Sequence, residues 1–118
     1  MIESISVGVD IVDINRFRRL DYEKNHGFFK RIFSKTEINY CLKFKNSDEH
    51  FAGKFAVKES VRKCVGKNVR FIDIITKHQN CRPIVSIKNN KGYVFQVSIS
   101  HEKNVAIAVV LCEKLVRQ

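Results

Sequence analysis

The sequence FAGKFAVKESVRKC occupies positions Phe51–Cys64. At about 100° per residue, its small and apolar side chains fill one arc of a helix and three basic side chains fill the opposite arc. Gly53 lies in the small arc, where glycine costs about 1 kcal/mol of helix propensity, so we expect another backbone to approach it closely. These residues are therefore predicted to form a helix that packs tightly on a sheet. The basic arc contains Lys54, Lys58 and Arg62.

Glu59 lies where the two arcs of this helix meet, one turn before Lys63. A glutamate four residues before a lysine stabilises a helix by about 0.2–0.5 kcal/mol, so a simple salt bridge is the plainest interpretation. A carboxylate at the edge of a packed helix can also be a ligand, and the sequence leaves both interpretations open. The helix is predicted to end near Gly66, with Lys63 and Lys67 close to its carboxyl end.

The composition predicts a single domain that covers residues 1–118. With 118 residues, 44% of them hydrophobic, the chain can bury about 60–70% of its unfolded surface and fold without disulfides. The four cysteines form no C-x-x-C pair and the chain has no leading apolar segment, so we expect free thiols in the cytoplasm. No apolar run approaches the roughly 18 residues that span a bilayer, so no membrane partner is expected.

The net charge of +10 predicts an acidic partner, because a field of this size attracts polyanions and repels basic proteins. RNA, DNA, an anionic membrane, an acidic protein and a phosphorylated small molecule all satisfy this condition. On charge alone, a nucleic acid is the first candidate.

The first strand is predicted at Ile2–Ile11, where apolar residues alternate with Ser, Gly and Asp. Asp10 falls near the carboxyl end of this strand, where a carboxylate is either a turn residue or part of a metal or phosphate site. Asp13 is the predicted N-cap of a short helix that runs to Leu20 and turns Ile14 inward. Asp10 is therefore a candidate site residue whose role this pattern alone leaves open.

The motif Ser34-Lys-Thr-Glu37 matches a capping box, in which the serine hydroxyl and the glutamate carboxylate satisfy free amides at a helix start. It predicts a helix of about ten residues. The inner stripe of that helix is predicted to be Ile38, Cys41 and Leu42.

The second half of the chain is predicted to consist mainly of strands. The last of them is apolar on both faces, which indicates a central position in a sheet. A strand, then helices, then a run of strands indicates an α+β fold with a small antiparallel sheet, a long central helix and shorter helices packed on it. The predicted strands are 71–75, 84–87, 93–100 and 105–111.

Four motifs stand in order along nearly the whole chain. They are Gly8–Ile14 with Arg16, Phe29–Glu37, Phe51–Ser60 with Lys63, and Ser98–His101 with the apolar run that begins at Ala106. Together they resemble the holo-[acyl-carrier-protein] synthases, a family of 4′-phosphopantetheinyl transferases. This resemblance implies transfer of 4′-phosphopantetheine from coenzyme A to a serine of an apo-acyl-carrier protein, which activates the carrier for fatty acid synthesis.

The resemblance implies that Asp10 and Glu59 hold Mg²⁺ and that Lys63 acts with them in catalysis. Mg²⁺ takes one or two protein carboxylates, keeps several waters and completes its shell with phosphate oxygens, which the pyrophosphate of coenzyme A would supply. Lys63 would then offset charge on those phosphates. A carboxylate of the metal site, directly or through a bound water, is the candidate base for the carrier serine.

The resemblance also implies two partners and an assembly. Coenzyme A is expected to bind with its nucleotide end at Lys54 and His101. An acidic carrier protein is expected to face Arg16, which lies on a family motif position, and three more arginines inferred from charge, so no nucleic-acid partner is expected. The family forms trimers with active sites between subunits. The expected coenzyme A contacts are Lys54, Lys63, Gly66, Pro83, Ser100 and His101, and the further arginines are Arg18, Arg19 and Arg31.

Some positions depart from the family pattern at the nucleotide end. Lys54 replaces an arginine and loses bidentate phosphate geometry, Cys81-Arg82 replaces Gly-Lys before Pro83, and Glu102 adds a negative charge beside a phosphate site.

Two functions other than the transferase remain open at this point. One is a Mg²⁺-dependent nuclease that uses the same two acids, and the other is a basic RNA-binding domain.

Overall fold

The fold follows the predicted order of strands and helices. A computed structural model describes residues 1–116, so Arg117 and Gln118, the end of the predicted domain, lie outside the described residues. The strands are β1 (Ile2–Asp13), β2 (Ile74–Gln79), β3 (Arg82–Ile87), β4 (Tyr93–Glu102) and β5 (Val105–Leu115). The helices are α1 (Asn15–Arg19), α2 (His26–Ile32), α3 (Lys35–Leu42) and α4 (Ser47–Val65), with short 3₁₀ turns at Tyr22–Lys24 and Phe71–Asp73.

The strands within residues 1–116 form two antiparallel sheets instead of the single predicted one. The larger sheet has the order β1-β5-β4, so β5 is central, as predicted. The smaller sheet is the hairpin of β2 and β3. Its turn residues Asn80 and Cys81 both have positive φ values, the conformation that matches the twist of a two-residue hairpin. The α+β class is confirmed.

Helix α4 packs on the larger sheet through a contact between two backbones. A Cβ atom on Gly8 of β1 would overlap the carbonyl oxygen of Ser60 and lie 3.0 Å from Sγ of Cys64. The Ser60 hydroxyl lies 3.1 Å from the carbonyl oxygen of Ala108 on β5, which ties the same turn of α4 to the central strand. The close approach predicted for Gly53 is wrong, because its nearest neighbour outside the helix is a side-chain atom of Ile99.

Replacing Gly8 with Ala is expected to destabilise the protein by about 3 kcal/mol, the upper end of the cost of overpacking, because two backbones would have to separate. Gly27 is the matched control, since a Cβ atom there meets nothing within 4 Å, and Gly27→Ala in helix α2 should stabilise the fold by about 0.5–1 kcal/mol. Urea unfolding at one protein concentration measures both changes. Equal stabilities for the two variants would contradict the contact.

The basic arc of α4 is covered by a second layer of structure instead of facing water. Lys54 is 3% exposed and Lys58 is 0% exposed, beneath α2, α3 and β2. The Lys58 ammonium donates to Glu37 Oε1 at 2.7 Å and to the carbonyl oxygens of Ile32 and Phe71 at 2.7 and 3.0 Å. Its charge is thus paired and its three donors are satisfied, which is the condition for burying an ammonium group.

Several local predictions are confirmed. Ser34 and Glu37 form the capping box of α3, and Ile38 and Cys41 are buried. Burial raises the pKa of the Cys41 thiol to about 12, and all four cysteines carry free thiols.

Other local predictions are wrong. Leu42 is 43% exposed, because α3 ends at this residue. The N-cap of α1 is Ile14, whereas Asp13 closes β1 and its side chain accepts a hydrogen bond from the Asn15 amide. Helix α4 begins at Ser47, four residues before the predicted stretch Phe51–Cys64, because Asp48 and Glu49 favour a helix amino terminus. Strand β2 begins at Ile74, after the 3₁₀ turn.

The outer face of the larger sheet, on the side away from α4, is apolar in the single chain. On β1, Ile5, Val7, Val9 and Ile11 are 60%, 63%, 51% and 66% exposed. Ile107 and Val109 continue this surface on the central strand β5. We call these six residues the outer sheet face. A contiguous apolar surface of this kind marks an interaction site.

Candidate active site

The contact of β1 with α4 brings Asp10 to Lys63. Lys63 Nζ lies 3.2 Å from Asp10 Oδ1 and donates to the carbonyl oxygen of Val9 at 2.8 Å. The Asp10 side chain is 16% exposed and that of Lys63 is 52% exposed. Glu59 lies one turn before Lys63 on the same side of α4 and is half-buried. Asp10 therefore pairs directly with Lys63, and Glu59 lies one helical turn away; we call Asp10 and Glu59 the acidic pair.

Gly66 follows the acidic pair at the carboxyl end of α4. It is the C-cap residue, with φ of 114°, and its amide donates to the carbonyl oxygen of Arg62 at 2.9 Å. This backbone conformation is strained for any residue with a side chain. Gly66 thus ends the helix one turn beyond Lys63 and leaves the backbone there uncovered.

A second candidate site is a cleft of about 300 Å³ between the amino-terminal half of α4, the β2–β3 hairpin and β4. We call it the histidine cleft, because three histidines line it. Its lining also includes Lys54 and Pro83, two residues predicted to contact coenzyme A. The three histidines are His50, His78 and His101.

Lys54 forms the floor of the histidine cleft. Its ammonium donates to the Thr76 hydroxyl at 3.0 Å and lies 4.7 Å from the centre of the Tyr40 ring. Burial lowers the pKa of Lys54 from its usual value, an effect that Cys41 and Glu37 partly offset. Lys54 is thus a buried cation in an aromatic setting, and not a solvated surface lysine.

His50 and His78 are cleft residues that the sequence analysis missed. His50 stacks on Phe44 with 3.8 Å between ring centres, and His78 stacks on Tyr40 at 4.9 Å. Burial is the largest cause that lowers the pKa of both imidazoles. The available signal was the position of His50 one turn before Lys54 on α4. His101 Nδ1 lies 3.8 Å from a carboxylate oxygen of Glu49, also in the cleft lining.

The acidic pair and the histidine cleft lie on different sides of α4. Lys54 and Lys63 are nine residues apart, which is about 13 Å along the axis and half a turn around it. The structure therefore brings Lys54, Pro83 and His101 together in the cleft and separately pairs Asp10 with Lys63, with Glu59 one turn before Lys63 on α4. Ser100 does not line the histidine cleft, but it lies in a neighbouring groove that His101 also lines.

The four arginines expected to face a carrier differ in their surroundings. Arg16 lies over the Phe55 ring at 5.4 Å and is exposed. Arg18 donates to the Asp48 carboxylate at 2.8 Å, to Asn15 and Asn104 side chains, and to the Lys103 carbonyl oxygen. These bonds use donors on all three of its guanidinium nitrogens within the chain. Arg19 and Arg31 are exposed.

Comparison with known proteins identifies the family. The sequence profile described as "4′-phosphopantetheinyl transferase superfamily" matches residues 6–110 of this chain.

The chain belongs to the 4′-phosphopantetheinyl transferase superfamily.

Among curated superfamily members, a holo-[acyl-carrier-protein] synthase of Geobacillus sp. (strain WCH70) is 42% identical over 118 residues, which cover 94% of this chain and 98% of that protein. A crystal structure of the synthase from Bacillus anthracis in complex with CoA (3′,5′-ADP) is 32% identical, with a TM-score of 0.78 over 92% of this chain and 95% of that one. The Helicobacter pylori synthase in complex with coenzyme A is 32% identical, with a TM-score of 0.77 over 89% and 97% of the two chains.

The predicted resemblance to holo-[acyl-carrier-protein] synthases is confirmed, and so is the prediction of an enzyme. Superfamily membership also leaves the non-catalytic RNA-binding alternative without support. Among residues 1–116, no helix is both long enough and apolar enough to cross a membrane.

Proposed function

We propose that this chain transfers 4′-phosphopantetheine from coenzyme A to a serine of an apo-acyl-carrier protein, with Mg²⁺. The serine oxygen bonds to the phosphorus next to the pantetheine, the pyrophosphate bond breaks, and 3′,5′-ADP leaves. The observation that carries the proposal is the ion pair of Asp10 with Lys63, one helical turn from Glu59, in a chain similar throughout to synthases solved in complex with coenzyme A. We further propose that the carrier serves fatty acid synthesis and that the reaction takes place in the cytoplasm.

The donor set of the acidic pair fits Mg²⁺. Asp10 and Glu59 are two oxygen ligands, and Mg²⁺ commonly takes one or two carboxylates with waters and phosphate oxygens in the other positions. The described residues contain no cluster of three or more His, Cys, Asp or Glu side chains suited to a metal. A nuclease that uses two metal ions often has such a cluster of acidic ligands, so this part of the chain does not favour that alternative. Bound Mg²⁺ would neutralise charge on the pyrophosphate.

In the proposed reaction, Lys63 stabilises negative charge and a carboxylate of the acidic pair accepts a proton. Two contacts of the Lys63 ammonium are with the Val9 carbonyl and Asp10, which leaves its third donor for a phosphate oxygen. This donor would stabilise negative charge as the pyrophosphate bond breaks. A carboxylate of the acidic pair, directly or through a bound water, accepts the proton of the carrier serine.

The nucleotide end of coenzyme A is proposed to occupy the histidine cleft, against Lys54, Pro83 and His101. Because this cleft and the acidic pair of one chain lie on different sides of α4, we propose that each active site combines the acidic pair of one chain with the histidine cleft of a neighbour. The outer sheet face supplies an apolar surface for such an assembly. The proposed number of three subunits rests on the family resemblance. Gly66 and Ser100 are further proposed coenzyme A contacts.

The proposed carrier surface is the basic group around α1. Carrier proteins of this kind are acidic, which would match the net charge of +10, and no nucleic-acid or membrane partner is proposed. Arg16, Arg19 and Arg31 are exposed and available for such a partner. Arg18 remains a proposed contact whose donors are already used within the chain.

Arg16→Ala is expected to raise the KM for the carrier about fivefold and to leave the KM for coenzyme A unchanged, because exposed charges act mainly on encounter and register. The difference should shrink between about 0.05 and 0.5 M salt, where the screening length falls from roughly 14 to 4 Å. Lys91→Ala removes the same charge from the exposed turn before β4 and serves as the control. Equal carrier KM values for Arg16→Ala and Lys91→Ala at low salt would contradict the proposed surface.

The proposed function is tested by incubating the purified protein with Mg²⁺, coenzyme A and an apo-acyl-carrier protein, and then weighing the carrier. The carrier should gain the mass of one 4′-phosphopantetheinyl group, with release of an equal amount of 3′,5′-ADP. A carrier variant with Ala in place of the modified serine should stay unmodified. An unmodified wild-type carrier, together with Mg²⁺-dependent cleavage of a nucleic acid, would overturn the proposal in favour of a nuclease.

A further inference from the structure

A chain of buried hydrogen bonds connects the floor of the histidine cleft to the core of the protein. Lys54 Nζ lies 3.0 Å from the Thr76 hydroxyl oxygen, which lies 2.6 Å from Glu37 Oε2. An ammonium group can only donate and an ionised carboxylate can only accept. The single hydroxyl proton of Thr76 therefore points to Glu37, and an oxygen lone pair of Thr76 faces Lys54. Only one orientation of the hydroxyl satisfies both neighbours.

Glu37 is held at both of its oxygens, so it is a fixed anchor for Thr76. Oε1 accepts from Lys58 at 2.7 Å and from the Ser34 amide at 2.8 Å. Oε2 accepts from the amide of Thr76 at 2.8 Å in addition to the hydroxyl. Burial by itself would raise the pKa of Glu37. The charge and hydrogen bond of Lys58, together with the other donors, lower this pKa by more, so the net shift is downward. Glu37 is thus ionised at neutral pH.

The formal charges of Lys54, Lys58 and Glu37 leave this buried cluster with one net positive charge. Lys54 and Lys58 contribute two positive charges and Glu37 contributes one negative charge. The three donors of Lys58 are used on Glu37 and on two carbonyl oxygens, whereas Lys54 has one donor on Thr76 and lines the cleft. The unbalanced charge is therefore at Lys54, which lines the cleft and is 3% exposed. An anion in the cleft would pair with it.

We propose that Thr76 is a positioning residue, which holds the Lys54 ammonium in the orientation that binds a phosphate group at the nucleotide end of coenzyme A. The inference rests on the proposed function. A lysine is a point charge on a flexible stem, in contrast to the planar fork of an arginine, so its direction needs an external constraint. Thr76 supplies this constraint from β2, and the Tyr40 ring supports the ammonium group from α3.

The inference is tested by measuring the affinity for 3′,5′-ADP by calorimetry with Thr76→Val and Thr76→Ser. Valine keeps the shape of threonine and removes the hydroxyl, so binding should weaken about tenfold. Serine keeps the hydroxyl and should bind within about twofold of wild type. In turnover assays, Thr76→Val should raise the KM for coenzyme A and leave kcat and the carrier KM unchanged, a pattern that a general loss of stability would not produce. Thr76→Ala repeats the test if valine prevents folding.

A double-mutant cycle separates positioning from indirect damage. If Thr76 acts through Lys54, then Thr76→Val should have no further effect on 3′,5′-ADP affinity in a Lys54→Met background. Equal losses in the two backgrounds, or wild-type affinity in Thr76→Val, would overturn this inference and leave the proposed function standing. A wild-type protein that binds neither 3′,5′-ADP nor coenzyme A would overturn both.

Discussion

Glu59→Gln is expected to leave the fold intact and to lower turnover by about 10²-fold or more, which corresponds to about 2.7 kcal/mol of lost transition-state stabilisation. The amide has the shape of the carboxylate but carries no charge, so the acidic pair would lose half of its charge. Glu59 is only half-buried at the edge of α4, so little packing should change. Holo-carrier formation at saturating coenzyme A and Mg²⁺, followed by mass spectrometry, measures the effect.

Glu23→Gln is the control for this variant. Glu23 undergoes the same change of charge, but it is exposed in the 3₁₀ turn Tyr22–Lys24, outside both candidate sites and the outer sheet face. Its turnover should remain close to that of wild type. The dependence on Mg²⁺ should shift to higher concentration in Glu59→Gln only. Near-normal turnover of Glu59→Gln in saturating substrates would remove Glu59 from the proposed metal site.

Two inactive variants are expected to restore activity when their chains are mixed. Lys54→Met disables the histidine cleft and Glu59→Gln disables the acidic pair, so each variant alone should be nearly inactive. If each active site uses the acidic pair of one chain and the cleft of its neighbour, a mixed assembly contains some sites in which both halves are intact. For random mixing of equal amounts in a closed ring, about a quarter of the sites should be functional.

The mixing experiment needs subunit exchange, which mild denaturant followed by refolding provides. The control is a mixture of Glu59→Gln with Asp10→Asn, because both changes affect the same half of the site and no intact site can form. Val9→Asp, which places a charge on the outer sheet face, should prevent assembly and activity together. No recovery in the first mixture, with exchange verified by mass, would show that each chain builds its site alone.

The parts of the fold that were predictable depend on local patterns. Alternation along β1, the capping box at Ser34 and the apolar run in β5 each report on a few adjacent residues and their immediate surroundings. These signals gave the order of elements and the central position of β5. They also indicated that Asp10 and Glu59 are candidate site residues. The prediction that these two carboxylates bind a metal ion came from the resemblance to a family.

The parts that were missed depend on contacts between distant residues. The helical wheel separates Lys54 and Lys58 from the small-residue arc, but periodicity does not report that α2, α3 and β2 cover that side too. In the same way, a glycine within a helix predicts a close approach at Gly53, whereas the backbone contact is made by Gly8 of β1. The histidine cleft combines residues from α4, the β2–β3 hairpin and β4, and no linear motif joins them.

The contact between Gly8 and Ser60 has a consequence for how this site tolerates divergence. It lies two residues from Asp10 and one residue from Glu59, and it is made by backbone atoms. Apart from Gly8 itself, where any side chain would push the two backbones apart, a spacing that backbone atoms determine does not depend on the identity of the surrounding side chains. Neighbouring positions can therefore accumulate neutral substitutions while the separation of the two carboxylates is inherited unchanged. For protein engineering, β1 and α4 can therefore be left unchanged. Substitutions in the histidine cleft or in the basic group around α1 would then alter one binding surface at a time.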